Sequence, residues 1–523
     1  MDRQRERPDT FFDTLPFLRI TAFLILTTGG VAVAATLSAS GNYREAAVFA
    51  AAALGAGLLL AGPISVQTVL ITWFALAPLA SFYIRFPTDR SIVTYNRVVF
   101  ALIVVMLLLK SGYTAVSTQT ASEAALSSRN AAPQRSSFSL SKFEVAWALL
   151  SVLALASAMA RSNNFAYAMR MAIDTFWLPL VAFHVARNYL DLREGGRQLL
   201  LGGIALALFL FASGAFELVT GTDLFAYKGS EIVREGERRV NGPFVSDSSF
   251  AIVCLMLFLF LLAAPRLFRV RFDRTGKLVY ACAVAGAALG ALLPLFRGVA
   301  SGLVLSWIVL KWSSESHNHR WSLLRAAVRR GLPLGALLVA ILIALAGWIA
   351  TSAPSLIGDR LTDLRSAYGR LATWKAAAEI VFDNPVLGVG LANYADYYDA
   401  THYYSDEPPE EVLETKAGGS PHSNVLWIGA ELGLTGLALY IAANAYLFLM
   451  GWRALKRAAD SRQRTAASCL LALVLAYSIP GLTLASGNYS DLNLYFLFLL
   501  GALYRLSSSQ DLLVVSTQSQ SWV

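Results

Sequence analysis

The 523-residue chain is short of the groups that disulfide, metal and redox chemistry require. It has three cysteines and five histidines. Cys254, Cys282 and Cys469 fall within or at the ends of apolar runs, with no CxxC pair and no Cys/His cluster. Neither a disulfide framework nor a zinc site is supported by that spacing. Charge is also scarce: Asp, Glu, Lys and Arg make up 15 % of the residues. Beside 56 % hydrophobic residues and a mean hydropathy of +0.54, this excludes a water-soluble globule. The lone Gly388-Val-Gly390 follows a helical pattern rather than a strand, so it does not read as a nucleotide-binding loop.

What the chain has in plenty is apolar runs of bilayer-spanning length. They lie near 17–37, 46–62, 66–84, 94–110, 143–160, 168–187, 198–219, 248–264, 278–296, 298–311, 331–351, 423–452, 466–484 and 491–506. The expected fold is an all-α polytopic membrane protein of about 12–14 spans, because lipid-exposed backbone must satisfy itself. One polytopic domain is expected, with a single large, partly helical loop. Its parts are an N-terminus at 1–16, spans over 17–351, the loop at 352–422, spans over 423–506 and a tail at 507–523. The first run, Leu18 to Leu37, is longer than a signal-peptide core and reads as a retained span. The Ser/Ala/Thr-rich stretch 111–142 reads as a linker.

The net charge of +9 reflects basic loops on one side of a membrane rather than a nucleic-acid surface. Arg266, Arg269, Arg271, Arg274 and Lys277 share one connection. Lys311, Arg320, Arg325, Arg329 and Arg330 share a second, and Arg453, Lys456, Arg457, Arg462 and Arg464 a third. All three fall on the side of the N-terminal arginines, which is therefore expected to be cytoplasmic. Segments 220–247, 352–422 and the Arg297-Gly298 turn then face outward.

Outward arginines are not explained by that rule. Arg234, Arg238 and Arg239 precede Val240-Asn-Gly-Pro-Phe, Arg297 sits between two apolar helices, and Arg360, Arg365 and Arg370 lie in the large loop. Arg297 either reaches for lipid headgroups or binds an anion; its planar fork suits a diphosphate. Arg370 belongs to an amphipathic helix with Ser366 as its N-cap, a stripe of Leu371, Trp374, Ala378 and Val381, and a stop at Asp383-Asn-Pro385. Such a helix lies on the membrane surface or packs over the spans. There Arg370 is either a solvated cation or an anion ligand.

His422 opens the next span. His184, His317 and His319 fall toward the cytoplasmic side, and His402 competes with it in the outer loop. A histidine at a helix start either caps backbone or serves as a general base, its ordinary pKa being near 6.5. Glu431, roughly 13 Å further along a regular helix, either pairs with an arginine or serves the site. Gly433 and Gly436 suggest a kink or a close helix approach. The run Asp406, Glu407, Glu410, Glu411 and Glu414 reads as solvated loop rather than a metal site.

Ser366-Ala-Tyr-Gly-Arg-Leu-Ala-Thr-Trp-Lys, Asp383-Asn-Pro-Val-Leu-Gly-Val-Gly-Leu-Ala-Asn-Tyr and Pro421-His-Ser-Asn-Val-Leu-Trp-Ile-Gly-Ala-Glu-Leu-Gly resemble the signature region of the O-antigen ligase family. That family also holds O-antigen and exopolysaccharide polymerases. Asn241-Gly-Pro-Phe and Phe296-Arg-Gly are similar to two shorter family motifs. The resemblance implies a GT-C-like inner-membrane enzyme without metal or cofactor. Its donor is a polyprenyl (undecaprenyl) diphosphate-linked glycan, and its acceptor a glycan or lipid A–core hydroxyl at the periplasmic face. By similarity His422 is the base and Arg297 and Arg370 hold the diphosphate. Arg238 or Arg239 assists, and Glu431 and Asn424 lend support. The family commonly has Asn directly after the histidine, where this chain has Ser423, and Ser before the first arginine, where it has Phe296. A repeat-unit polymerase is the alternative. A non-enzymatic transporter of lipid-linked glycan would instead place charges through the bilayer depth. The orientation has a direct test. A cysteine at Ser405 is expected to react with an impermeant thiol reagent in intact spheroplasts, whereas protection until lysis would reverse the topology.

Overall fold

The computed structural model describes residues 65–86, 93–108, 140–192, 195–225, 233–234, 237–238, 240–294, 296–314, 365–400 and 420–508. The runs expected at 17–37, 46–62 and 331–351 lie outside these residues. So do Arg239, Arg360, His317, His319, His402 and the acidic run 406–414. The chain divides into two compact units, Met1–Ser137 and Phe138–Val523, where one domain was expected from composition. The boundary falls within the stretch that reads as a linker.

The first unit contains α1 (Val66–Tyr83), a short antiparallel pair of β1 (Arg85–Phe86) and β2 (Val93–Thr94), and α2 (Tyr95–Leu108). Ser65 caps α1, its Oγ accepting from Thr68 N at 3.1 Å. Trp73 joins the two helices: its Nε1 donates to Asn96 Oδ1 at 2.9 Å, and its ring meets Phe100 edge-on at 5.1 Å.

The second unit begins with α3 (Lys142–Arg161), α4 (Phe165–Ala172), a π turn (Ile173–Trp177), α5 (Leu178–Tyr189) and α6 (Gly196–Thr220). A hairpin, β3 (Val233–Arg234) with β4 (Glu237–Arg238), leads to α7 (Asp247–Phe268), α8 (Arg274–Leu292) and α9 (Arg297–Ser314). Then come α10 (Arg365–Asp383), α11 (Tyr394–Ala400), α12 (Asn424–Arg457), α13 (Ser461–Gly481), a 3₁₀ turn (Ser486–Asn488) and α14 (Ser490–Ser508). Among the described residues, α1, α3, α6, α7, α8, α12 and α13 are long and apolar enough to cross a membrane. The protein is thus an all-α polytopic membrane protein.

Small polar residues set the helix starts. Ser141 and Glu144 form a capping box on α3, and Ser246, Asp273, Ser423 and Asp460 cap α7, α8, α12 and α13. Helix α7 is apolar on every side and buried on every side from Ser248 to Leu261, so it is the centre of the bundle. It packs against α6, α8, α9, α13 and α14.

Two irregularities follow from residues that a helix cannot absorb. Pro179 has no N–H to donate, and the π turn just before it leaves carbonyls unpaired. Phe176 O accepts from Trp147 Nε1 at 2.9 Å, and Thr175 O from Asn493 Nδ2 at 3.4 Å. An aromatic row, Phe183–Phe143–Trp147–Phe176–Trp427, runs beside it through the core.

The second break is in α12. Gly433 stands at φ 67°, ψ −170°, a glycine-only conformation that interrupts the helix. The groups it frees pair with the turn segment 385–390. Ala430 O accepts from Val389 N at 2.9 Å and Glu431 O from Gly390 N at 3.0 Å. Leu434 N donates to Pro385 O at 2.7 Å and Thr435 N to Val386 O at 3.4 Å. The Gly388-Val-Gly390 pattern is therefore a backbone strap across a broken helix.

Helix α10 departs from the sequence expectation in two ways. It begins at Arg365, so Ser366 lies inside it and is not its cap. Its packed face is Thr373, Ala376, Ala377 and Ile380, all buried, against Tyr394, Tyr398, Val389 and Ala430. Leu371 is exposed, and Trp374, Ala378 and Val381 are only half-buried. The small side chains win because they let α10 approach α12 closely, while the bulky ones stay at the rim. Replacing Gly433 by Ala would put a Cβ about 2.5 Å from Val386 C. We expect that variant to lose roughly 1–3 kcal/mol, read as a lower thermal unfolding midpoint in detergent; an unchanged midpoint would mean the strap is not required.

Candidate active site

Two segments carrying expected site residues, those of Arg297 and of His422–Asn424, meet at one turn of the second unit. Arg297 is the first residue of α9 and is exposed. Its neighbour Gly298 packs on Thr483 and Pro480 at the end of α13. Across that same turn, Gly481 and Gly487 pack on Asn424. Asn424 is buried and clamps the turn: its Oδ1 accepts from Gly487 N at 2.6 Å and its Nδ2 donates to Ser486 Oγ at 3.1 Å. Arg297 and the start of α12 thus flank one turn. Asn493 locks the turn from below, donating to Gly487 O at 2.7 Å and accepting from Tyr477 Oη at 2.8 Å.

His422 does not sit within the first turn of α12. It precedes the cap, Ser423, whose Oγ accepts from Leu426 N. Its backbone is left-handed at φ 48°, and its N–H donates to Ser420 Oγ at 3.3 Å. A left-handed histidine is uncommon, and such strain clusters at functional sites. The residue is half-buried.

Arg370 stands half-buried on α10, one turn before the anchor of that helix. The anchor is Thr373, whose carbonyl accepts from Tyr394 Oη at 3.1 Å. Burial pushes the Tyr394 phenol far above its ordinary pKa, so it remains a donor at any physiological pH. Arg238 lies on the hairpin, whose continuation Val240 packs beside Gly214 and Leu293, just before the Arg297 turn.

Glu431 is buried and meets backbone rather than an arginine. Its Oε2 accepts from Ala392 N at 2.9 Å and its Oε1 from Tyr394 N at 3.4 Å. Ala392 is left-handed at φ 66°, so the carboxylate holds a strained loop in place. Both Asn424 and Glu431 therefore shape the site from behind.

Sequence reasoning passed over two residues with this same positioning role. Arg161, at the end of α3, donates through Nη1 to Gly388 O at 2.7 Å, and its carbonyl accepts from Asn393 Nδ2 at 2.8 Å. By the expected topology it is an outward arginine like the others, and that argument would have found it. Glu217 is buried at the end of α6, where its Oε2 accepts from Asn241 N at 3.1 Å and Gly242 N at 2.8 Å. An acidic residue late in an apolar run was the available signal.

Residues 281–441, from within α8 to within α12, match the sequence profile described as O-antigen ligase. Over that segment, under a third of the chain, the protein is similar to the O-antigen ligase family. No curated protein matches the chain. Family members are ligase- or polymerase-like membrane glycosyltransferases, so the protein is a membrane enzyme of that general kind. The matched segment contains Arg297, Arg370, His422, Asn424 and Glu431, and leaves out Arg238 and Arg239. Within this O-antigen ligase domain, Asn424 is the testable clamp. Asn424→Ala strands a buried Gly487 N–H and should cost about 1–3 kcal/mol. Asn424→Asp keeps the acceptor and should lose less. Equal unfolding midpoints for wild type and Asn424→Ala would remove the clamp from the account.

Proposed function

We propose that the protein transfers a glycan from a polyprenyl diphosphate carrier to a hydroxyl of an acceptor sugar, as an O-antigen ligase. The observation that supports this reading is that Arg297 and His422, both in the family-matched segment, flank the turn clamped by Asn424. Arg370 stands on α10, which packs on α12 and is tied to Tyr394 through Thr373. By the charge rule this turn faces away from the cytoplasm, which in a Gram-negative cell is the periplasmic side of the inner membrane.

In the proposed mechanism the neutral His422 imidazole takes the proton of the acceptor hydroxyl. The oxygen attacks the anomeric carbon as the bond from that carbon to the diphosphate oxygen breaks, with inversion. The lipid diphosphate leaves with the bond's electron pair. Arg297 and Arg370 meet the growing charge with bidentate hydrogen bonds, and Arg238 or Arg239 adds to the field. The existing diphosphate bond supplies the driving force, so this reading needs no nucleotide, and it assigns no step to a metal. Charges gathered at one end suit catalysis there better than a charged path for transport.

His422→Ala is expected to fold normally and to lower transfer from lipid-linked donor about 10²–10⁴-fold. Arg297→Ala is expected to lose transfer as well, with Arg297→Lys intermediate because one charge remains without the fork. Transfer at the wild-type rate by purified His422→Ala would sink the base assignment. A null strain tests the choice of acceptor. Lipopolysaccharide lacking attached glycan, with lipid-linked chains accumulating, is the ligase outcome; single attached repeats would assign a polymerase.

A further inference from the structure

The opposite end of the bundle holds a second built feature. A cavity of about 500 Å³ opens where the start of α3, the end of α5, the end of α12, the start of α13 and the end of α14 meet. Its volume lies within the range of small-molecule sites. Lys142, Arg187, Arg453 and Arg457 line it, together with Tyr446 and Tyr504. No carboxylate is among its described lining residues.

Two ordinary explanations cover part of this. Basic residues are expected on the cytoplasmic side of a membrane protein. Arg453 and Arg457 also complement the negative end of the α12 dipole. Neither explains why cations from three separate helices surround one cavity. Repulsion between them would favour splaying outward into solvent, and nothing in either rule turns them toward one another.

The walls are preorganised. Glu144, buried behind the cavity, closes the α3 capping box and accepts from Arg187 Nη1. His184 Nδ1 meets the same carboxylate at 2.7 Å. The Arg187 guanidinium lies over the Tyr504 ring at 5.3 Å, which fixes its plane. Glu144 therefore offsets Arg187, and Lys142, Arg453 and Arg457 supply the remaining positive field. The start of α3 adds its dipole with the same sign.

The surroundings place the cavity at a lipid–water boundary. Next along α3, Val145 and Leu149 are exposed apolar residues, as are Phe448 and Trp452 along α12. The Lys456 ammonium sits over the Trp452 ring at 5.2 Å, the pairing of an interfacial anchor.

We propose that this cavity is a binding site for a phosphate-bearing anion, and that its occupant is the phosphodiester headgroup of an anionic phospholipid of the adjacent leaflet. Three cations with no carboxylate among the described lining residues, and two tyrosines, suit a phosphodiester, and the exposed apolar flanks suit acyl chains. Basic pockets between membrane helices on this side are recognised lipid sites in physical terms. The site is remote from His422 and independent of the glycosyl-transfer reading.

The test uses the full-length protein purified in a neutral detergent. Native mass spectrometry would count phosphatidylglycerol retained against phosphatidylcholine as control, and thermal unfolding would be followed in parallel with each lipid and with inorganic phosphate. Wild type should retain phosphatidylglycerol selectively and unfold at a higher temperature with it. Arg453→Ala/Arg457→Ala should weaken retention about ten- to thirtyfold, and Arg453→Lys/Arg457→Lys should restore most of it. Arg271→Ala/Arg274→Ala removes the same charge from another basic loop and should leave retention intact. Glycan transfer should persist in the alanine double variant, which shows that it folds. Protection by phosphatidylglycerol alone supports the lipid headgroup as occupant. Equal protection by inorganic phosphate would overturn that choice in favour of a soluble phosphate. Unselective retention, or equal loss in both double variants, would overturn the site.

Discussion

A helix inside a bilayer has no water to repair a broken backbone, and each group left unpaired there costs several kcal/mol. The break at Gly433 therefore dictates the architecture around it. Ala430 O, Glu431 O, Leu434 N and Thr435 N must find partners, and segment 385–390 is their only described source. That segment can come close enough because Gly388 has no side chain; a Cβ there would lie 2.5 Å from Ala430 O. The strap in turn needs fixing from its far side. Arg161 and Ser157 on α3 do this, through Gly388 O and Leu391 N. One conformational exception thus ties α3, α12 and the long extramembrane segment into a single unit.

The catalytic proposal depends on that unit. His422, Arg297 and Arg370 all stand on turns or near helix starts, where a side chain has freedom it would lack mid-helix. Transfer chemistry needs them held to within a fraction of an ångström. The holding is done by neutral and backbone-directed groups: Asn424 and Asn493 around the 486–488 turn, Glu431 on the 392–394 amides, and Tyr394 on Thr373. This division has a physical advantage. An arginine used to pair Glu431 would be neutralised, whereas amide donors satisfy the carboxylate without one.

Much of this was legible in the residues and some was not. Among the described residues, helices stand where the apolar runs predict them, as at Val66–Tyr83 and Lys142–Arg161, because length and hydropathy suffice to define a span. The Gly433 kink was readable from glycine spacing, but its partner was not. Pairing across sixty residues has no local signature, so Gly388-Val-Gly390 looked like a failed phosphate loop. The α10 stripe misled for a related reason: spacing favours large apolar side chains, while close packing on α12 selected Thr373, Ala376, Ala377 and Ile380. His422 was read as the start of the helix because it directly precedes the apolar run. The structure chooses Ser423 as the cap, and the left-handed turn that results is invisible to periodicity. Glu431 was noticed as a carboxylate in an apolar run and Asn424 through the family resemblance, and the first signal was also there for Glu217 and Glu144.

Helix α12 is the element shared by the two ends. Its first half leads from His422 to Gly433, and its second half carries Arg453 and Arg457 into the basic cavity. A continuous helix would transmit a push from one end to the other. Here the upper half is bonded to the strap and the 486–488 turn, while the lower half packs on α3 and α13. Between the halves stands Gly433, the one residue of α12 whose backbone is non-helical. On the lipid-site proposal, an anion in the cavity would add stability to the lower bundle. On this account the two sites share a helix and are mechanically separate, so lipid occupancy would set how long the enzyme stays folded rather than how fast it turns over.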